Sequence, residues 1–129
     1  MIAAAALKVL VVDDQKSIRA LLREGLRQLG VNVIMEAENG EDALRIMVTR
    51  PVNLVITDFN MPKVDGLELL RAIRSHPPIK GVAVIMVTGS ADRELVQKAV
   101  KHGVNNLMAK PFTMADLKGK LDAVFGSVT

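Results

Sequence analysis

The chain reads as an α/β protein of the doubly wound kind, with five parallel strands and helices on both faces of the sheet. Two features predict this. Short apolar runs recur without the in–out alternation of half-exposed strands, the habit of strands covered on both sides. Between them, apolar residues repeat at helical spacing, giving five strand–helix units roughly 20 to 25 residues apart. Crossovers between parallel strands are right-handed, which distributes the helices over both faces.

The first strand is Val9-Leu10-Val11-Val12. Ile18, Leu21, Leu22, Gly25, Leu26 and Leu29 then share one helical face, and Gly30 stands where a C-terminal cap belongs. Val33-Ile34-Met35 is the second strand, followed by a helix carrying Ala43, Leu44, Met47 and Val48. The run 52–56, interrupted by Asn53, leads to a helix with Leu69, Leu70 and Ile73. The run 82–87 precedes Leu95, Val96, Ala99 and Val100, closed by Gly103. A weaker Leu107-Met108-Ala109 comes before Leu117, Leu121 and Val124. The opening Met1-Ile2-Ala3-Ala4-Ala5-Ala6-Leu7 lacks the basic start of a signal peptide and is expected to be a frayed leader. With no linker and no similarity between units, the expectation is a single domain over residues 1–129, its core about 7–125, rather than a repeat array.

Composition narrows the chemistry. The 129 residues contain no cysteine, which excludes disulfides, thiol nucleophiles and thiolate metal sites and fits a cytoplasmic protein. Any metal must take oxygen ligands or the two histidines, which favours a hard cation. No apolar stretch is long enough to span a bilayer, so membrane insertion is not expected. Aromatic content is 2%, with neither Trp nor Tyr, so there is no stacking platform for nucleic acid, and DNA is not an expected partner. The chain carries 17 basic and 14 acidic residues; setting aside three acids and one lysine assigned below to a pocket leaves 16 against 11, a surface excess of +5 that suits an acidic partner or an anionic ligand.

Ligands of open parallel sheets bind beyond the carboxyl ends of the strands. Those ends carry Asp13-Asp14, Thr57-Asp58, Thr88-Gly89 and Lys110-Pro111. Singly, each has an ordinary use: an aspartate after a strand caps a turn or helix, and a threonine or Lys-Pro there is common loop. Together they bring three carboxylates, a hydroxyl and an ammonium to one rim. Carboxylates a few ångström apart repel by on the order of 4 kcal/mol per pair at an effective dielectric near 20. A divalent cation and Lys110 would neutralise them. Magnesium suits best, since it takes oxygen ligands, keeps several waters, and offsets phosphate charge in phosphoryl transfer. Lys110 and Thr88 would hold phosphate oxygens, Gly89 leaves space and an N–H where an oxygen approaches, and a carboxylate facing the phosphorus can attack it to form an aspartyl phosphate.

The chain resembles the receiver domains of bacterial two-component response regulators, most closely the single-domain chemotaxis type. The motifs are Val9-Leu10-Val11-Val12-Asp13-Asp14, Asp58-Phe59-Asn60-Met61-Pro62 leading to Asp65-Gly66-Leu67, Met86-Val87-Thr88-Gly89, and Lys110-Pro111-Phe112-Thr113, and the likeness covers about residues 7–125. The resemblance implies a flavodoxin-like (βα)5 fold with strand order 2-1-3-4-5. It implies that Asp58 is the phosphoacceptor for a histidine kinase or phosphotransfer domain. Magnesium would be held directly by Asp14, Asp58 and the Asn60 backbone carbonyl, and by Asp13 mainly through water. It further implies that Lys110 pairs with the phosphate, that Thr88 swings to bond it, and that Lys110-Pro111 is cis. Phosphorylation would alter the face of the fourth helix, fifth strand and fifth helix, where a downstream protein such as a flagellar motor switch binds. Asn60 and Ser90 stand where the family tunes hydrolysis of the phosphoryl group. Three residues before the lysine, where the family usually places an aromatic switch residue, this chain has Leu107, which puts the conventional readout in question.

The roles left open are an output module, a phosphate sink or relay, and a receiver that also binds an anionic ligand such as a cyclic dinucleotide. The protein is expected to be a monomeric signalling receiver rather than an enzyme. Lys16, Arg19, Arg23 and Arg27 form a basic stripe on the first helix, read as a solvated face or else a docking strip for an acidic partner. Lys98, Lys101, Lys118 and Lys120 add positive charge to the output face, and His76 and His102 are expected as exposed helix-end residues rather than ligands. Rival readings fit poorly. A haloacid dehalogenase-type phosphatase has its nucleophile on the first strand with a second aspartate two residues on, whereas here Asp58 is followed by Asn60. A flavodoxin-like carrier would place its phosphate where Asp13-Asp14 repels it, and the Gly-x-x-x-x-Gly-Lys-Ser/Thr loop of nucleotide hydrolases is absent.

Overall fold

A computed structural model describes residues 1–89 and 93–129. After a 3-10 turn at Ala4–Ala6, the elements alternate: β1 (Lys8–Val12), α1 (Lys16–Gln28), β2 (Val33–Ala37), α2 (Gly40–Met47), β3 (Leu54–Asp58), α3 (Gly66–Ser75), β4 (Ala83–Thr88), α4 (Arg93–Lys101), β5 (Asn106–Ala109) and α5 (Met114–Phe125). All neighbouring strands pair in parallel, in the order β2-β1-β3-β4-β5, as expected.

Successive strand side chains point to opposite faces, and both faces are covered. Val9, Val11, Leu54, Ile56, Ile85 and Val87 meet Leu22, Leu26, Leu117 and Leu121 of α1 and α5. Leu10, Val12, Val55, Val84 and Met86 meet Ala43, Met47, Leu69, Leu70, Ile73 and Ala99 of α2, α3 and α4. This is why β1, β3 and β4 read as unbroken apolar runs, each fully buried side chain contributing about 1.5–3 kcal/mol. At the sheet's edge, β2 is half-buried and admits Glu36.

Local chemistry sets the helix limits. Asn39 and Asp65 accept hydrogen bonds from the backbone N–H groups of Asp42 and Glu68, and Thr113 and Asp116 form a reciprocal capping box. Gly30, with φ of 99°, follows α1 in the left-handed region that favours glycine. Arg74 binds the loops around β4: its guanidinium donates to the carbonyls of Lys80, Val82 and Gly103 and to Asn105 Oδ1. Among the described residues, no helix is long and apolar enough to cross a membrane.

Three expectations need correction. The leader is not frayed. Ile2 pairs in parallel with Val128, with Ile2 N–H donating to Ser127 O at 2.8 Å and Thr129 N–H to Ile2 O at 3.0 Å. Ala4, Leu7 and Val128 are buried in the α1/α5 core. Lys118 Nζ donates to Val128 O, and Asp122 accepts from Val128 N–H, clasping the tail to α5. Secondly, the basic stripe is not wholly a solvated face. Arg19 is buried, and Arg19 and Arg23 both pair with Glu36, leaving only Lys16 and Arg27 exposed. Thirdly, Leu21 in α1, Val48 just past the end of α2 and Val100 in α4 are 54%, 60% and 61% exposed, so these apolar positions are not part of the buried core. Val128→Ala should lower stability by about 1.5 kcal/mol and speed amide exchange at Ile2 and Thr129. Random-coil exchange at those amides in the unmodified protein would contradict the clasp.

Candidate metal centre

Parallel register brings the strand ends level. Val12 stands opposite Thr57, Asp58 opposite Val87, and Thr88 opposite Ala109. The residues that follow stay tied to neighbouring strands: Asp13 N–H donates to Ala37 O, Phe59 N–H to Val87 O, and Lys110 N–H to Thr88 O. Asp13, Asp58 and Lys110 therefore emerge on one rim, as the chain order of apolar runs predicts.

The rim is a compact acidic site. One carboxylate oxygen from each of Asp13, Asp14 and Asp58 lies within 4.8 Å of the others. Lys110 Nζ is 3.1 Å from Asp58 Oδ1 and 3.3 Å from Asp13 Oδ2. Asp13 and Asp58 are buried, while Asp14 is exposed. Asp13 Oδ1 accepts from Gln15 N–H at 2.8 Å. Burial, with the Asp58 charge adding to it, raises the Asp13 pKa, although the Gln15 N–H and Lys110 oppose the shift. Burial penalises the Lys110 ammonium, but its hydrogen bond to Asp58 and the charges of Asp13 and Asp58 outweigh this and raise its pKa.

The donor set fits a hard divalent cation. It consists of oxygen alone, and its spacing approaches the roughly 3–4 Å between donors sharing a cation at about 2.1 Å. Without a cation, the Asp13 charge is a liability. The folded protein holds a proton on Asp13 more tightly than the unfolded chain, so metal-free stability declines as pH rises through the acidic range. Asp13→Asn should raise metal-free stability by on the order of 1 kcal/mol, measured as thermal unfolding in EDTA. A lower melting temperature would show that the Lys110 pair outweighs the burial cost. Because a metal needs the ionised form, its affinity should fall on acidification at a pH above that of an ordinary aspartate.

The remaining candidates border this cluster. Asn60 is exposed two residues after Asp58, and Thr88 is half-buried at the end of β4. A side chain at Gly89 would meet open space, so the protein leaves room there. The Lys110-Pro111 peptide is cis. Leu107 is half-buried and packs on the α2/α3/α4 side of the sheet. Ser90 lies outside the described residues. His76 is exposed after α3, His102 is half-buried after α4, and neither belongs to the acidic cluster.

Two residues already noted in the sequence, Gly66 in a motif and Arg19 in the basic stripe, have a role at the site that sequence reasoning missed. Gly66 opens α3 against the backbone of Asp58 and Phe59, where a methyl group would collide with the Asp58 carbonyl oxygen. Arg19 donates from Nη1 to the Asp13 carbonyl at 2.7 Å. Gly66 could have been suspected from its place after the cap Asp65; Arg19 could not, because Glu36, which turns it toward the Asp13 carbonyl, lies on β2, 17 residues away.

Known proteins resemble the chain over most of its length. The response regulator receiver domain family matches residues 9–122. The probable chemotaxis protein CheY of Rhizobium etli is 48% identical, with 95% of each chain covered. Chemotaxis protein CheY-3 of Vibrio cholerae is 41% identical over 92% of each. The solved structure of chemotaxis protein CheY4 from Vibrio cholerae is 30% identical with a TM-score of 0.86, covering 92% of this chain and 98% of that one. With its parallel sheet in the order 2-1-3-4-5 and its acidic rim, the chain belongs to the response regulator receiver domain family.

Proposed function

We propose that this chain is a single-domain response regulator of the chemotaxis type, phosphorylated on Asp58 by a histidine kinase or phosphotransfer domain in the cytoplasm. The observation that carries the proposal is the convergence of Asp13, Asp14 and Asp58 around one point beside Lys110. A bound magnesium ion supplies charge neutralisation for the phosphoryl oxygens. Asp13, Asp14, Asp58 and the Asn60 carbonyl would hold it. An Asp58 carboxylate oxygen attacks the phosphorus of a phosphohistidine; the P–N bond breaks and the imidazole takes up a proton. Lys110 pairs with the phosphoryl group in place of part of its present contact with Asp58. Thr88 and the open space at Gly89 receive the other oxygens. Asn60 and Ser90, two positions beyond Asp58 and Thr88 in the sequence, would set the lifetime of the phosphoryl group.

The new anion draws Thr88, at the end of β4, and so biases the adjoining face of α4, β5 and α5 toward a downstream protein. The similarity to chemotaxis proteins makes a flagellar motor component the natural target. Leu107 fills the switch position with an aliphatic side chain that can repack but cannot hydrogen-bond through its tip.

Incubated with magnesium and acetyl phosphate, the protein should gain one phosphoryl group by intact mass. EDTA should reduce the gain at least about a hundredfold. Equal labelling in EDTA would remove the metal from the proposal. Capture of a partner by beryllofluoride-treated but not untreated protein distinguishes an output module from a phosphate sink.

A further inference from the structure

The geometry points to Arg19 as a positioning residue for magnesium, acting through the Asp13–Asp14 peptide. This rests on the proposed metal site and extends it to a side chain that touches neither metal nor phosphate. Arg19 is a cation buried to 9% exposure in the first turn of α1. Its Nη1 donates to the Asp13 carbonyl at 2.7 Å, and its Nε to Glu36 Oε1 at 3.2 Å. Glu36 is fixed in turn by Arg23, whose Nη1 reaches Oε2 at 2.7 Å. Glu36 stands opposite Val11 on β2, and the next residue, Ala37, accepts the Asp13 N–H. The end of β1, α1 and the edge strand are thus closed into one ring around Asp13.

The Asp13 carbonyl belongs to the peptide that joins the two acids. That peptide is planar, so anchoring its oxygen fixes the direction in which Asp14 leaves the strand. Asp13 is otherwise held at its N–H and at both carboxylate oxygens. Asp14 is exposed and has no protein partner for its carboxylate among the described residues. Its aim depends on its backbone, and therefore on Arg19. Residues that orient metal ligands typically change affinity about 10- to 100-fold when removed.

The sign of the effect separates positioning from charge. A guanidinium this close repels a dication, so if charge were its only influence, its removal would tighten magnesium binding. Positioning predicts the reverse. Magnesium titration of the full chain by calorimetry should show affinity about tenfold weaker in Arg19→Met and weaker in Arg19→Lys, which keeps the charge but not the fork. Glu36→Gln should weaken it in the same direction, about threefold, and carries the test if Arg19→Met does not fold. Asp14 and Gln15 amide signals should move in all three variants without magnesium. Unchanged or tighter binding in the folded variants overturns the inference, even if melting in EDTA shows lost stability. Absence of binding to the unsubstituted protein would instead overturn the metal site itself.

Discussion

Asp58→Asn should abolish phosphoryl uptake from acetyl phosphate, by about 10³-fold or more, while the protein stays folded. The amide has the shape of the carboxylate and occupies a position already 9% exposed at the end of a buried strand, so β3 and its neighbours need not move. What it lacks is an anionic oxygen able to attack phosphorus. The substitution also removes one of the three mutually repelling carboxylates of the cluster, so metal-free stability should be retained or improved. Near-normal labelling of Asp58→Asn would mean that another residue accepts the phosphoryl group. Loss of labelling together with loss of folding would point to a structural need for the carboxylate; unfolding in EDTA distinguishes the two.

Gly66→Ala should destabilise the fold by about 3 kcal/mol, or a fall in melting temperature of about 10 °C. Gly66 N–H donates to Phe59 O at 2.9 Å, which draws the first turn of α3 onto the backbone after β3. A methyl group there would collide with the Asp58 carbonyl oxygen, with Phe59 Cα at 3.0 Å and the Asp58 carbonyl carbon at 3.2 Å. These are backbone atoms and cannot rotate away. Relief requires α3 or the 59–65 loop to move, which would displace Asp58, so magnesium affinity should fall with stability. Gly119→Ala, in α5 where a methyl group meets nothing within 4 Å, should instead raise stability by about 1 kcal/mol. If both substitutions stabilise, the close approach at Gly66 is not a constraint.

The parallel sheet and the acidic rim were legible for a common reason, whereas the strand order came from the family resemblance. Apolar runs buried on both faces mark parallel strands, and parallel strands deliver whatever follows them to one edge, so Asp13, Asp58 and Lys110 could be placed together from chain order alone. Contacts between remote segments were not legible. Nothing in Met1–Leu7 announces that Ile2 pairs with Val128, because the partner lies at the other end of the chain. The stripe containing Arg19 and Arg23 looked solvated because helical spacing records which residues share a face but not that Glu36, across on β2, meets that face. Leu21, Val48 and Val100 show the related limit: periodicity identifies an apolar face, not which of its positions the core buries.

The most direct measurement is the position of the phosphoryl group. Borohydride reduction of protein treated with acetyl phosphate, followed by digestion and fragment-ion sequencing, converts a phosphorylated aspartate to homoserine. The account predicts homoserine at position 58 alone, and only when magnesium was present. Homoserine at 13 or 14, or at 58 irrespective of the metal, would contradict it.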